Sequence, residues 1–217
     1  MFKKDGAKPS EAGGLRMRSA MREEIARLKR ERILEEARQL FFERGYQGTT
    51  LDAVAKRLEV TKPFIYSHFE NKAALLGEIS ERGTARSLEA ITRAHDREGD
   101  PKMRLADAVE EFVQVLIDHR ANVAVYFREQ QYVPEESARK IDDMRAEFDT
   151  KLAALIQEGV DKGQFRVRDV GMATLALGGM ISWMYTWHRP GGRLSDAEVR
   201  ANMLELVMNM LRASVGA

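Results

Sequence analysis

Apolar side chains recur three and four positions apart along most of the chain from residue 21 onward, the spacing of helices with one buried face. The clearest stripes lie within residues 33–41, 51–58, 105–116, 141–156 and 199–210. β-Branched and aromatic residues do not gather into alternating runs, so nothing in the pattern predicts a sheet. The sequence therefore predicts an all-α fold of about nine helices.

Helix starts are marked by residues that accept hydrogen bonds from free backbone N–H groups. Thr50 precedes the second stripe, and Asp100 stands before a proline in the first turn of the third. Ser195 and Glu198 have the spacing of a capping box ahead of the last stripe. These signals predict helices that begin just after residues 50, 100 and 195.

Residues 170–187 form a run of 18 residues without a charged side chain. A run of this length is a candidate for a membrane-spanning helix. The segment also holds Gly171, Gly178 and Gly179 together with several hydroxyl residues, so its mean hydropathy is modest. A helix that is apolar all round and rich in small residues is typical of burial on several sides. We predict a buried or subunit-interface helix here.

Composition narrows the class of protein. The 217 residues are 44% hydrophobic and 32% charged, enough for a substantial core under a solvated surface. The chain has no cysteine, which excludes disulfide scaffolds, Cys-ligated zinc and thiol catalysis. Residues 1–9 are polar and charged, unlike a signal peptide, so a cytoplasmic protein is expected.

Charge is distributed unevenly although the net charge is only +1. Residues 1–70 carry 15 basic and 11 acidic side chains, and an anionic partner at this end is the usual meaning of such a bias. Residues 1–24 have few apolar side chains and several glycines, which predicts a flexible basic arm. The remaining chain is divided into two domains, residues 25–72 and residues 73–217.

The division rests on a helix-turn-helix pattern. Two short helical stretches, 51–58 and 62–69, are separated by the three-residue break 59–61 and follow a glycine-bounded connection after the first helix. In this arrangement the second short helix enters the major groove of DNA. Val60 is placed to plug the turn and Thr61 to cap the recognition helix, while Ile65 and Phe69 pack inward. The outward face then carries Lys62, Phe64, Tyr66, Ser67 and His68.

Thr49-Thr50 followed by VTKPFIYSHFENKAALL at residues 60–76 resembles the amino-terminal domain of TetR-family transcriptional regulators. The resemblance covers about residues 27–76. It implies a homodimer that sets two recognition helices into successive major grooves of a pseudo-palindromic operator. It also implies that residues 25–72 are a DNA-binding domain and that residues 73–217 are a ligand-binding and dimerisation domain. The uncharged and Met-rich faces of the last two helices predict that these helices form the dimer interface.

The resemblance assigns roles by matching position. Tyr66, His68 and Lys72 are expected at phosphates, and Thr50 at the helix N-terminus that meets one. The remaining matched positions are expected to contact bases or to lie beside the residues that do. The expected DNA-binding residues are Thr49, Thr50, Thr61, Lys62, Pro63, Phe64, Tyr66, Ser67, His68 and Lys72. Many family members carry Gly-Thr where this chain has Pro63-Phe64, so no operator sequence is transferred.

The second half carries no catalytic pattern: it has no phosphate-binding glycine loop, no H-E-x-x-H and no nucleophile elbow. No enzyme activity, cofactor or metal site is therefore predicted. Adaptable and aromatic apolar side chains instead suggest a ligand cavity between helices. The expected lining residues are Phe112, Leu116, Tyr126, Phe127, Met144, Phe148, Met180, Trp183, Met184 and Trp187.

Residues 181–195 resemble a stretch of TetR-type regulators of fatty-acid, steroid and aromatic-acid degradation, several of which respond to acyl-CoA thioesters. The resemblance implies an acyl chain among the apolar residues and phosphate contacts from Arg128, Arg189 and Arg193 at the mouth. We predict a repressor released from its operator by a small apolar or amphipathic effector. The alternatives are a helical enzyme with an anion-binding amino-terminal region and an adaptor that holds a partner on its apolar surface.

Overall fold

A computed structural model describes residues 11–212, with side chains from Arg16 onward, and this part of the chain contains helices and no strands. The helices are α1 (Glu11–Arg44), α2 (Leu51–Arg57), α3 (Lys62–Tyr66), α4 (Lys72–Asp96), α5 (Pro101–Asp118), α6 (Arg120–Glu129), α7 (Glu135–Asp161), α8 (Val170–Ser182), α9 (Met184–Trp187) and α10 (Asp196–Arg212). A single residue separates α8 from α9, and counting these two as one interrupted helix gives the predicted number. The all-α prediction is confirmed.

The amino-terminal segment differs from the prediction. Helix α1 begins at Glu11, so residues 11–24 of the predicted flexible arm are helical, while residues 1–10 lie outside the described part of the chain. The segment is rich in Arg, Glu, Met and Ala, which are strong helix formers. The ion pair of Arg27 with Glu24 and the hydrogen bond from Ser19 to Glu23 add local support at helical spacing.

The helix caps predicted at Thr50, Asp100 and Ser195 are confirmed. Thr50 Oγ1 accepts a hydrogen bond from Ala53 N at 3.1 Å, and Asp100 Oδ1 accepts one from Met103 N at 3.0 Å. Ahead of α10, Ser195 N donates to Glu198 at 2.8 Å and Glu198 N donates back to Ser195 Oγ at 3.3 Å. Local sequence alone therefore fixed where these helices begin.

Two apolar cores organise the fold. The first joins α1, α2, α3 and the start of α4, and it extends beyond the predicted boundary at residue 72 to the buried Leu75, Leu76 and Ile79. The second, larger core joins α5, α7, α8 and α10 with the later part of α4. The second half also completes the first core, because Val125 of α6 is fully buried within it.

The uncharged segment 170–187 is buried on one side only. Ala173, Leu177 and Ile181 of α8 lie in the second core, whereas Met172 and Leu175 are 65% and 61% exposed. Within residues 11–212 there is no helix whose length and hydropathy would let it cross a bilayer. One face of α8 therefore remains apolar and uncovered in a single copy of the chain.

Candidate nucleic-acid interface and ligand cavity

The turn between α2 and α3 sets the direction of the second short helix. Glu59 has a positive φ of 57°, a left-handed conformation that reverses the chain after α2. Val60 N then donates to Ala55 O at 3.0 Å, and its side chain packs against the first core. The prediction that Val60 plugs this turn is confirmed.

Helix α3 is anchored by two buried side chains and presents its polar side to solvent. Ile65 is fully buried and Phe69 is 3% exposed, as their spacing predicted. Tyr66 is 49% exposed, and Lys62 and Ser67 are exposed as well. The helix itself ends at Tyr66, earlier than the predicted residue 69, with Ser67 at its carboxyl cap. Three side chains of this segment are thus accessible from solvent, as predicted.

The exposed side chains of α3 have only weak competing partners. Lys62 Nζ lies 3.1 Å from Asp52 Oδ2, and this hydrogen bond and charge raise the pKa of Lys62. Because both side chains are well exposed, the pair contributes little stability. Ser67 Oγ donates to Phe64 O at 2.7 Å.

The start of α3 differs in one detail from the prediction. Thr61 occupies the N-cap position, but its side chain makes no capping hydrogen bond there; its backbone carbonyl accepts from Phe64 N at 3.0 Å instead. Pro63 occupies the first turn, where its missing N–H costs no helical hydrogen bond. The Thr61 hydroxyl therefore stays exposed beside Lys62 rather than closing the helix.

Phe64 and His68 turn partly inward. The Phe64 ring packs against the first core, meets the His68 ring edge-on at 5.1 Å, and has Lys29 Nζ 5.6 Å from its centroid. Burial lowers the pKa of His68, and the nearby charges of Lys29 and Arg30 lower it further. Both rings are half-buried, and the contact of Lys29 with the Phe64 ring joins α3 to α1.

Thr49 and Thr50 have opposite placements although they are adjacent. Thr49 is fully buried, and its hydroxyl reaches Leu40 O at 3.1 Å and Gly45 O at 2.9 Å. The expectation that Thr49 contacts DNA is wrong, because its hydroxyl faces the connection between α1 and α2. Thr50 is exposed at the N-terminus of α2, as predicted.

Lys72 lies beneath the helix-turn-helix rather than pointing away from it. Its Nζ donates to Tyr46 O at 2.7 Å and to Thr49 O at 2.8 Å, and it lies 4.1 Å from the centroid of the Tyr46 ring. Burial lowers the pKa of Lys72. Two of its three N–H groups are thus used within the chain, while its contact with the DNA backbone stays a prediction.

The lowered pKa values of His68 and His119 predict a loss of stability in mild acid. Burial is the main cause at both residues, so protonation is harder in the folded chain than at the ordinary value of 6.5 in the unfolded chain. Stability should be complete above about pH 6.5 and fall as the pH drops through the lowered folded values. Urea unfolding at pH 7.5 and 5.5 measures this.

The double variant His68→Gln/His119→Gln separates the histidines from the acidic groups in that experiment. The variant should lose part of the pH dependence over the same interval. Nuclear magnetic resonance titration gives the direct value, and a His68 midpoint above 6.5 in the free protein would contradict the prediction.

A cavity of about 300 Å³ lies between helices α4 to α8 in the second half. Its apolar wall includes six of the residues predicted from sequence: Phe112, Leu116, Tyr126, Phe127, Phe148 and Trp183. The Phe112 and Phe148 rings lie 4.9 Å apart and the Tyr126 and Phe127 rings 5.3 Å apart. This volume and wall are those of a small-molecule site at the lower end of the usual size range.

The other predicted lining residues lie elsewhere. Met184 is in the second core, and Met180 packs against it. Met144 is partly buried outside the cavity wall, and Trp187 is 48% exposed. The helix is interrupted at Trp183, and neither Met184 nor Trp187 after the break lines the cavity.

The three arginines expected at the mouth do not line the cavity. Arg128 donates to Ala124 O and to Phe42 O, and its guanidinium lies 4.9 Å from the centroid of the Phe42 ring, so it joins α6 to α1. Arg189 donates to His188 O at 3.0 Å in the exposed segment before α10, which also carries Arg193. The sequence prediction of the anion contacts is therefore wrong for this cavity.

The polar part of the cavity wall was not predicted. Ser80, Thr84 and Ser87 line it from α4, Asn122 from α6, and Ser182 from the end of α8. Arg145 and Asp149 contribute from α7. The α4 hydroxyls follow helical spacing, four and three residues apart, so a stripe of small polar residues on an otherwise apolar helix face was the available signal.

Comparison with known proteins places both halves in one family. The family described as bacterial regulatory proteins, tetR family, matches residues 33–79, and the tetracyclin repressor-like C-terminal domain matches residues 98–211. A curated relative, the HTH-type transcriptional repressor KstR2 of Rhodococcus jostii, is 27% identical over 84% of this chain and 91% of its own length.

Solved structures agree with this assignment. The TetR family regulator PfmR of Thermus thermophilus is 30% identical with a TM-score of 0.77, covering 83% of this chain and 99% of that one. AibR in complex with isovaleryl coenzyme A and operator DNA is 26% identical with a TM-score of 0.72, covering 82% and 97%. The overall helical fold is thus shared with these regulators, and the chain belongs to the tetR family of bacterial regulatory proteins.

Proposed function

We propose that this chain is a transcriptional repressor that binds a pseudo-palindromic operator as a homodimer and is released by a small effector. The observation that carries the proposal is the combination, in one chain of this family, of a polar recognition helix facing solvent and a largely apolar cavity between helices in the other half. Such a protein acts on DNA in the cytoplasm and has regulation, not catalysis, as its role.

The DNA contacts proposed from the structure are fewer than those expected from sequence. Lys62, Tyr66 and Ser67 project from α3, and Lys62 and Ser67 have hydrogen-bonding groups suited to base edges and phosphates. Thr50 stands at the N-terminus of α2, where free N–H groups favour a phosphate. In this proposal Lys72 and Thr49 support the DNA-contacting residues indirectly, by stabilising the connection between α1 and α2.

The homodimer is proposed to form through the last two long helices. Met172 and Leu175 on α8 and Leu206 on α10 are more than half exposed in the single chain. Exposed apolar side chains gathered on two neighbouring helices are typical of a protein–protein interface. Four helices, two from each protomer, would cover them.

The effector is proposed to bind in the cavity and to work by population shift. It must favour conformers whose two recognition helices are wrongly spaced for half-sites about 34 Å apart. Relief of repression by about 100-fold requires about 2.7 kcal/mol of coupling. The AibR complex with isovaleryl coenzyme A makes an acyl-CoA a reasonable first effector to test.

Gel retardation with DNA from upstream of the gene for this protein tests the proposal. The purified protein should retard one or a few fragments, and the double variant Lys62→Gln/Tyr66→Ala should weaken that binding by about 100-fold, since each lost contact is worth about 1–3 kcal/mol. Lys140→Gln, an equal charge change on the remote surface of α7, is the matched control. Equal binding to all fragments at moderate salt would refute the repressor proposal.

A further inference from the structure

Two charged residues stand one helical turn apart in the wall of the cavity. Arg145 and Asp149 both project from α7, close to the apolar rings of Phe112 and Phe148. The side chain of Arg145 is exposed at the rim of the cavity, whereas Asp149 is half-buried. Both have few partners among the described residues, which leaves their polar atoms accessible to a ligand.

The guanidinium of Arg145 is largely unused by the protein. Its one hydrogen bond runs from Nη1 to Tyr126 Oη on α6 at a long 3.4 Å, and it forms no ion pair within 4.0 Å among residues 16–212. A guanidinium has five N–H donors in a planar fork that suits carboxylate and phosphate oxygens. Arg145 and Tyr126 therefore offer an anion two converging groups from opposite helices.

Asp149 offers hydrogen-bond acceptors where Arg145 offers donors. In the described part of the chain its carboxylate accepts no hydrogen bond and forms no ion pair, although it is half-buried in the cavity wall. Burial raises the pKa of Asp149, while the charge of Arg145 opposes that rise. Its carboxylate oxygens are therefore free to accept a hydrogen bond from a hydroxyl or amide N–H of a ligand in the cavity.

We infer that the cavity binds an amphipathic anion: an apolar body between Phe112 and Phe148, an anionic group on Arg145 and Tyr126 Oη, and an O–H or N–H donor on Asp149. The inference deepens the proposed function, because it takes this cavity to be the effector site. The anionic group is a carboxylate or a phosphate ester, since both fit the guanidinium fork. Arg145 thereby replaces Arg128, Arg189 and Arg193 as the anion contact.

Four probes of equal chain length test the inference: 3-hydroxyoctanoate, octanoate, octanol and octanoyl-CoA. Their binding to the full-length protein without DNA is measured by calorimetry and by the fluorescence of Trp183, which lines the cavity. At least one anionic probe should bind about 10-fold or more tightly than octanol, the effect of a charged hydrogen bond. 3-Hydroxyoctanoate should bind more tightly than octanoate.

Three variants assign the effects to residues. Arg145→Gln should bring the anionic probes to within about 2-fold of octanol and leave octanol binding unchanged. Asp149→Ala should remove the difference between 3-hydroxyoctanoate and octanoate. Arg139→Gln, an exposed residue of α7 that pairs with Glu135, should change nothing.

The outcomes distinguish a carboxylate from a phosphate ester as the bound anion. They also test the anion site separately from the repressor proposal. Binding of octanoyl-CoA but not octanoate, lost in Arg145→Gln, identifies a phosphate ester as the anion. If no anionic probe binds more tightly than octanol, or if Arg145→Gln retains the preference, the inference is overturned. DNA retardation is scored independently, so a protein that binds the anions through Arg145 but retards no fragment would refute the repressor proposal alone.

Discussion

The double substitution Met172→Glu/Leu206→Glu should convert the protein from a dimer to a monomer. The two side chains are 65% and 55% exposed on α8 and α10, so the isolated chain tolerates a charge at either position. In a dimer, four carboxylates would enter an apolar interface and repel one another, at a cost of several kcal/mol. Sedimentation analysis at micromolar concentration measures the change directly.

Operator binding should fall with the dimer. Two linked recognition helices gain about 10²–10⁴ in affinity over one, so the monomer should bind the operator at least about 100-fold more weakly. Met103→Glu, at an equally exposed methionine on α5, is the control and should leave both assembly and DNA binding intact. A double variant that remains dimeric would place the interface on a different surface.

Replacing Lys72 with methionine should weaken operator binding without reducing its dependence on salt. The substitution removes two charge-assisted hydrogen bonds, to Tyr46 O and Thr49 O, and leaves both carbonyls without that donor. We expect a loss of about 2–3 kcal/mol in the free energy of unfolding and about 10-fold or more in operator affinity. Both carbonyls lie in the connection that leads into α2, so the N-terminus of α2 would be held less firmly.

The salt dependence distinguishes this role from a phosphate contact. A lysine that touches a phosphate contributes about 0.9 to the slope of log affinity against log salt concentration. Lys62→Gln should lower the slope by that amount, whereas Lys72→Met should not. A lowered slope with unchanged stability in Lys72→Met would show that Lys72 reaches the DNA backbone.

The sequence was most informative where a local rule decides the outcome. Helical spacing located the long helices, and short-range capping hydrogen bonds located their starts, because both depend on neighbours within one turn. The inward packing of Ile65 and Phe69 followed from the same spacing. These features hold whatever the rest of the chain does.

Features set by contacts distant in the chain could not be predicted. Two adjacent threonines are equivalent in a sequence, and the turn at Gly45, with φ of +74°, decides that Thr49 faces inward. Lys72 meets Tyr46 and Thr49 only after α4 has folded beneath α1. Likewise, the sequence shows that Arg145 and Asp149 share a helix face, but only packing of α4 and α6 against α7 turns that face into a cavity wall.

The burial of Val125 inside the first core limits how this protein could be recombined with others. A chimera that grafts residues 11–72 onto a foreign effector module would leave an apolar hole where α6 inserts and would lose the stacking of Tyr132 on Tyr46 at 5.0 Å. Exchange of domains between such proteins, in the laboratory or in evolution, should therefore succeed only when the graft carries α4 and α6 along with the helix-turn-helix.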